Sequence, residues 1–329
     1  MNVTYEHYEH NFDLGGSEYA ALNCRNGIIA CLIRDFRHVD VTPVYASLHL
    51  SLSDVMEPVR RAEIAGGHIG NFGLELWTAL FSVRWYKSVV EPDVTEFRHS
   101  IANTLRRVGP VLAPHDGYFD ETATDKFGRV HMIHNSMIYG ASDNGSTLMV
   151  ADRHFRSEMN LETFHRSLLA QDSSLIGVTA AKPYDGSWQE LASSLLRSIA
   201  ENSTTAAHRD LIPECIAAVN ADGPGTNDAR WRQTYSCLKS VGVSRLFSVR
   251  LLTAAQRHGA RLPEPETTQL STHLSHWADE WSLVSAISYK YMMTGQKSYL
   301  TRIANRLNSL IQAEAAEMSG LAIATMGLP

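Results

Sequence analysis

The sequence predicts an α+β fold: an antiparallel sheet in the N-terminal part, followed by a helical C-terminal part. Three observations carry this. Residues 130–152 alternate in strand fashion around an Asp143-Asn144-Gly145 turn. Residues 23–36 form an apolar helical run behind an Asn. Beyond residue 186 helical spacing recurs with few strand signals. The expected domains are 1–183 and 184–329, divided at the loop K-P-Y-D-G-S from Lys182.

The elements follow in order. Asn23 is a good N-cap, and Ile28 to Ile33 (I-I-A-C-L-I) is apolar on every side, so the helix at 23–36 should be buried. Val41 to Leu52 alternates and is rich in β-formers, which predicts a strand or two. Residues 72–90 and 93–108 read as helices, and Pro110, Pro114 and Asp116-Gly117 as loop marks. Val130 to Gly140 and Ser146 to Asp152 are the two strands of the hairpin. Helical segments are then expected at 191–200, 211–219, 230–242, 245–259, 268–294 and 299–318.

Composition limits function. The chain has 329 residues, with 44% hydrophobic and 19% charged, which suits a globular core and excludes disorder. The net charge of −6 supplies no basic field for nucleic acid. Four scattered cysteines build no disulfide framework and no zinc CxxC pair. The N-terminus reads as no signal peptide and no run approaches a membrane span, so a reduced, cytoplasmic protein is expected. His7 and His10 find no evident third ligand, and no metal is expected. The Gly66–Gly73 stretch (G-G-H-I-G-N-F-G) lacks the context of a phosphate loop and reads as a channel-lining loop.

The chemistry centres on Cys24. At the first helical position its sulfur meets free backbone N–H groups and the positive end of the helix dipole, which favour a thiolate. Cys31, two turns on, has only core around it, and Cys215 and Cys237 read the same way. A Cys nucleophile needs a base and an orienting group. His134 on the first hairpin strand and Asp152 at the end of the second are near-opposite about the turn and could serve. Taken singly, each reads as an ordinary core or turn residue; the order Cys, His, Asp makes the joint reading catalytic. His131, three residues from His134, should face the other way.

Cys24 on its helix, H-x5-G from His134 to Gly140, and Val150-Ala151-Asp152 together resemble the papain-like cysteine peptidase fold, in its bacteriocin-leader-peptidase-like branch. The matched motifs span 20–36 and 130–155. The chain length, the Cys near residue 24 and the helical C-terminal half resemble a biosynthetic subgroup. It includes the butirosin acyltransferase and the petrobactin dihydroxybenzoyl-condensing protein. The resemblance implies a catalytic Cys24, His134 and Asp152. It also implies an acyl or aryl thioester on the phosphopantetheine of a carrier protein as donor, and an amine or polyamine as acceptor. The product would be an amide in siderophore or other natural-product biosynthesis, made without a bound cofactor. Leader peptidases carry a Gln six residues before the Cys; here it is Glu18. An ionised carboxylate opposes an oxyanion, so Asn23 and the Cys24 N–H are the substitute donors. A hydrolase using the same triad and a non-catalytic carrier-binding scaffold stand as alternatives, and a homodimer stays open.

Two further patterns bear on substrates. Trp77, Trp85-Tyr86 and H-W-A-D-E-W from His276 read first as core packing, second as an aryl pocket. Arg245, Arg250, Arg257, Lys290, Lys297, Arg302 and Arg306 offer a basic helical face that an acidic carrier protein could dock on.

Overall fold

A computed structural model describes residues 22–49, 73–121, 127–129, 131–142, 144–152, 156–203 and 227–327, with the side chains of 202–203 and 227–237 left out. The expected helix at 211–219, Glu18, His7, His10, Cys215, the side chain of Cys237 and residues 66–72 of the glycine-rich stretch lie outside the described parts. The chain divides into two compact units. The first holds Met1–Val41 and Asn71–Tyr184, the second Thr42–Gly70 and Asp185–Pro329.

The first unit is mixed. In chain order it contains α1 (Cys24–Arg37), α2 (Leu74–Phe81), β1 (Arg84–Val89), α3 (Val94–Val108), β2 (Val111–Asp116), β3 (Ile133–Ala141), β4 (Thr147–Ala151), β5 (Arg156–Asn160), α4 (Leu161–Leu169) and β6 (Ser174–Ala180). The strands form one six-stranded sheet in the order β1-β6-β2-β3-β4-β5, and every pair is antiparallel.

α1 begins where the sequence says it should. Asn23 holds an extended backbone and its Oδ1 accepts the Asn26 N–H, filling one of the donors a helix start leaves over. Residues Asn26 through Ile33 are buried, and α1 packs against β2, β3 and β6. At its far end the Arg37 guanidinium donates to the carbonyls of Val108 and Val178, tying the helix to α3 and β6. α3 is capped by Asp93, whose carboxylate accepts from the N–H groups of Thr95 and Glu96.

Two expected elements come out differently. Thr42–Ser47, inside the stretch expected as a strand, is a 3-10 turn of the second unit. Pro43 fixes φ near −65° and has no N–H for a ladder, which suits the first turn of a helix better than a strand. The helix expected over 72–90 ends at Phe81: Ser82 adopts left-handed φ 48° and its N–H returns to Thr78 O. The chain then extends into β1, so Trp85 and Tyr86 lie on a strand, as their β preference favours.

The hairpin of β3 and β4 carries a register break between Ile138 and Gly140. Before the break Met137 faces Ala151 and Ile138 faces Val150. Continued one step, this register sets Asp152 opposite Ser136 and diagonal to His134. β2, with Pro114 in it, lies between β3 and β6; β6 pairs with it only at Val111 and Leu112. Residues that read as loop marks therefore belong to a central strand.

One face of the sheet is covered by α3 and α4. Their Phe97, Ile101, Leu105, Phe164 and Leu168 form a continuous core with Val111, Ala113, Ile138 and Val150 of the strands. Since strand side chains alternate, His115 and His134 share this face with Ala113 and Ile138.

The second unit is helical. It contains α5 (Trp188–Ser203), α6 (Asn227–Arg257), α7 (Glu264–Thr294) and α8 (Ser298–Thr325). The two segments expected at 230–242 and 245–259 are one helix. Gly242 does not break it. A Cβ there would lie 3.0 Å from the Trp281 Cβ and 3.1 Å from Ala278 O, so the glycine lets α6 and α7 cross closely. Trp277 and Trp281 of the H-W-A-D-E-W run are buried core residues. No helix among the described residues is long and apolar enough to cross a membrane.

Candidate functional site

His134 and Asp152 meet. His134 Nε2 lies 3.2 Å from Asp152 Oδ2, and both side chains are buried. The contact is the diagonal one the register dictates, within reach for side chains on one face of an antiparallel pair.

The other ring nitrogen has a partner the sequence did not suggest. His134 Nδ1 lies 2.9 Å from Asp120 Oδ2. The same oxygen lies 3.0 Å from His115 Nε2, and His115 Nδ1 lies 3.0 Å from Ala113 O. His115 and Asp120 have no exposed side-chain surface. The two imidazoles face each other across β2 and β3, where His115 pairs with His134, with ring centroids 5.1 Å apart. Phe164 of α4 packs on the His115 ring at 4.8 Å.

The loop after β2 delivers Asp120. Asp116 accepts the Tyr118 N–H and so starts a 3-10 turn over Gly117–Phe119, and the Asp120 N–H closes it on Gly117 O. This brings position 120 back over position 115. Asp116 itself faces away: its carboxylate lies 2.6 Å from His131 Nδ1. Burial alone would push the Asp116 carboxyl up, but the His131 ring and the N–H groups of Tyr118 and Met132 hold it below the usual carboxylate range. His131 stacks on Tyr118 at 4.2 Å, so it and His134 serve different surroundings.

Cys24 is the first residue of α1 and half-buried. Asn23 Oδ1 is committed to the helix cap, which leaves its Nδ2 as the group that could face an oxyanion. Asn26 is fully buried, and its Oδ1 accepts the Trp77 Nε1–H at 2.9 Å. Trp77 thus bonds to the residue that completes the cap. No hydrogen bond joins the Cys24 sulfur to His134 among the described residues, and none of the described α1 residues belongs to the core under α3 and α4. The structure brings His134 and Asp152 into contact. Cys31 is fully buried and its thiol donates to Asp35 Oδ2 at 3.2 Å. Burial first, and the Asp35 carboxylate second, push that thiol far above its ordinary value.

Of the basic residues considered for docking, Arg245 is buried and its Nε donates to Glu314 Oε1 at 2.6 Å. It is not part of any surface. Arg306 pairs with Glu280 at 2.7 Å. Arg302 and Arg306 both line a cleft of about 530 Å³ between α7 and α8, with Trp277 and His276.

Sequence reasoning missed His115 and Asp120. Their only signal is a His and an Asp five apart in P-H-D-G-Y-F-D, where Pro and Asp-Gly invite a loop reading. The chain matches no protein-family model, and no curated protein matches it significantly.

Proposed function

We propose that the chain is a cysteine-dependent acyltransferase that forms an amide from an acyl or aryl thioester and an amine. The observation that supports it is the buried His134–Asp152 contact at 3.2 Å, in a chain whose α1 opens with a half-buried Cys24 behind an Asn cap. In this reading the Cys24 thiolate attacks the thioester carbonyl of a carrier-bound acyl group. The donor C–S bond breaks, the carrier sulfur takes the proton that His134 removed from Cys24 and leaves as a thiol, and an acyl-Cys24 thioester forms. The amine then attacks, its proton passes to His134, the amide is released and the Cys24 thiol is restored. Asp152 holds Nε2, so Nδ1 is the nitrogen that exchanges protons. That nitrogen faces Asp120, so the reaction requires it to exchange Asp120 for the thiol. The first-turn N–H groups of Cys24 and Arg25, with Asn23 Nδ2, are the oxyanion donors in this scheme. A siderophore-like product, a carrier-protein partner and a cytoplasmic setting belong to the same proposal.

Intact-protein mass spectrometry after incubation with acyl-loaded carrier protein tests it. An added acyl mass that disappears in Cys24→Ser, and that yields amide when a polyamine is supplied, is expected. Release of free acid in the presence of amines would make the protein a hydrolase. No adduct from aryl or aliphatic donors would overturn covalent catalysis.

A further inference from the structure

We infer that His115, Asp120 and His134 form a binding site for one divalent transition-metal ion of the zinc type. The inference stands on the geometry of this cluster and not on the acyl-transfer reading.

The three donor atoms converge. One ring nitrogen of His115, an Asp120 carboxylate oxygen and one ring nitrogen of His134 lie within 4.8 Å of one another. The two His–Asp edges are 3.0 and 2.9 Å. Tetrahedral ligands held at zinc distances of ~2.0–2.1 Å are separated by about 3.3 Å, so small side-chain movements seat the ion.

The hydrogen-bond count points the same way. Four ring nitrogens make four contacts with three oxygens: His115 Nδ1 faces Ala113 O, His134 Nε2 faces Asp152 Oδ2, and the two remaining nitrogens face the same Asp120 Oδ2. A neutral imidazole has one N–H, so two neutral rings can satisfy only two of these four contacts. The other two contacts would set a nitrogen lone pair against an oxygen. Charging both rings would satisfy all four, at the cost of two cations in a pocket where His115 and Asp120 are fully buried. A metal ion resolves the count with both rings neutral. The inner nitrogens, His115 Nε2 and His134 Nδ1, then give their lone pairs to the ion, and each outer nitrogen carries the N–H.

The outer contacts are those that metal-binding histidines use. A ligating imidazole donates its second N–H to a carboxylate or a backbone carbonyl, which fixes ring and tautomer. Asp152 is that carboxylate for His134, and Ala113 O that carbonyl for His115. Two nitrogens and one carboxylate oxygen suit zinc, cobalt or nickel and not magnesium or calcium. Three protein ligands leave a position for water or an added ligand. With an ion on Nδ1, His134 cannot take the Cys24 proton, so metal-loaded and acyl-transferring molecules are different states of one protein.

The test is a zinc titration of the full-length protein, stripped with chelator and shown to be folded by circular dichroism, against a coloured competing chelator. One equivalent bound is expected. His115→Ala and Asp120→Ala should each weaken binding by more than about 100-fold, and Asp152→Asn by about 10–100-fold. Cys24→Ser should bind as tightly as the unchanged protein. Because His115 and Asp120 variants could misfold, cobalt is also added to the unchanged protein. Visible d–d bands without a thiolate charge-transfer band support the N2O ligand set. Absence of stoichiometric binding by the folded protein, full affinity in folded His115→Ala, or a thiolate band would each overturn the site. No acyl donor enters these measurements, so their failure leaves acyl transfer standing, and failure of acyl transfer leaves the metal result intact.

Discussion

His115 and His134 sit opposite each other on β2 and β3 with a single carboxylate oxygen of Asp120 between them, at 3.0 and 2.9 Å. This arrangement binds the loop after β2 to the hairpin that follows it. Asp120→Ala leaves two buried rings facing each other without their shared acceptor. Removing a buried hydrogen-bond partner of this kind should cost about 1–3 kcal/mol. Urea unfolding of metal-free protein at neutral pH measures it.

The same logic applies to the second unit. Glu314 accepts from Arg245 Nε at 2.6 Å and from Trp281 Nε1 at 2.7 Å, all buried. Glu314→Ala strands a buried guanidinium, and a loss of about 3–5 kcal/mol is expected in the unfolding transition. Glu314→Gln, which keeps the volume and one of the two acceptor oxygens, should lose less.

Trp77 is expected to matter for Cys24 through Asn26. Trp77→Phe keeps an aromatic ring but removes the donor to Asn26 Oδ1 and part of a fully buried side chain. Losing that hydrogen bond together with part of the buried indole should cost more than about 1 kcal/mol. If the bond steadies the start of α1, Cys24 should also react faster with a thiol reagent in the variant. An unchanged rate would separate Trp77 from the thiol.

The two cysteines of α1 should respond differently to alkylation. Cys31 is fully buried with its thiol held protonated by burial and Asp35, whereas Cys24 is half-buried at the helix start. Iodoacetamide at mildly alkaline pH should label Cys24 in the native protein and reach Cys31 only after denaturation. Peptide mass mapping reads both sites.

Asp116 sets an acid limb of stability. Its carboxyl is held below the usual range, so it binds a proton more weakly folded than unfolded. Its contribution is complete above the unfolded value near ~3.9 and is lost as pH falls through the lower folded value. The urea midpoint of the unchanged protein should therefore drop more steeply below about pH 4 than that of Asp116→Asn.

The hairpin was legible because its signal is local: period-two alternation on both sides of Asp143-Asn144-Gly145. His134 and Asp152 came with it, since a hairpin turns sequence distance into a cross-strand contact. The bulge at Ile138–Gly140 was not visible, yet it shifts the register only by an amount a diagonal contact absorbs. α1 was legible from Asn23 and the apolar run. β2 and β6 were not. They are short and buried on both sides, so Val111–Ala113 and Leu175–Val178 show no alternation, and their pairing joins residues more than 60 apart. His115 and Asp120 became legible only through that pairing and through the turn that folds 120 over 115.

Pro114 gives the sheet a permanent fork. β6 leaves β2 after Leu112, and two positions later β2 has no N–H to offer a neighbour. No slippage of β6, and no visiting strand, can complete the hydrogen-bond ladder at that position. The end of β2 that carries His115 thus runs on without a β6 partner, and the proline denies that edge one of its donors.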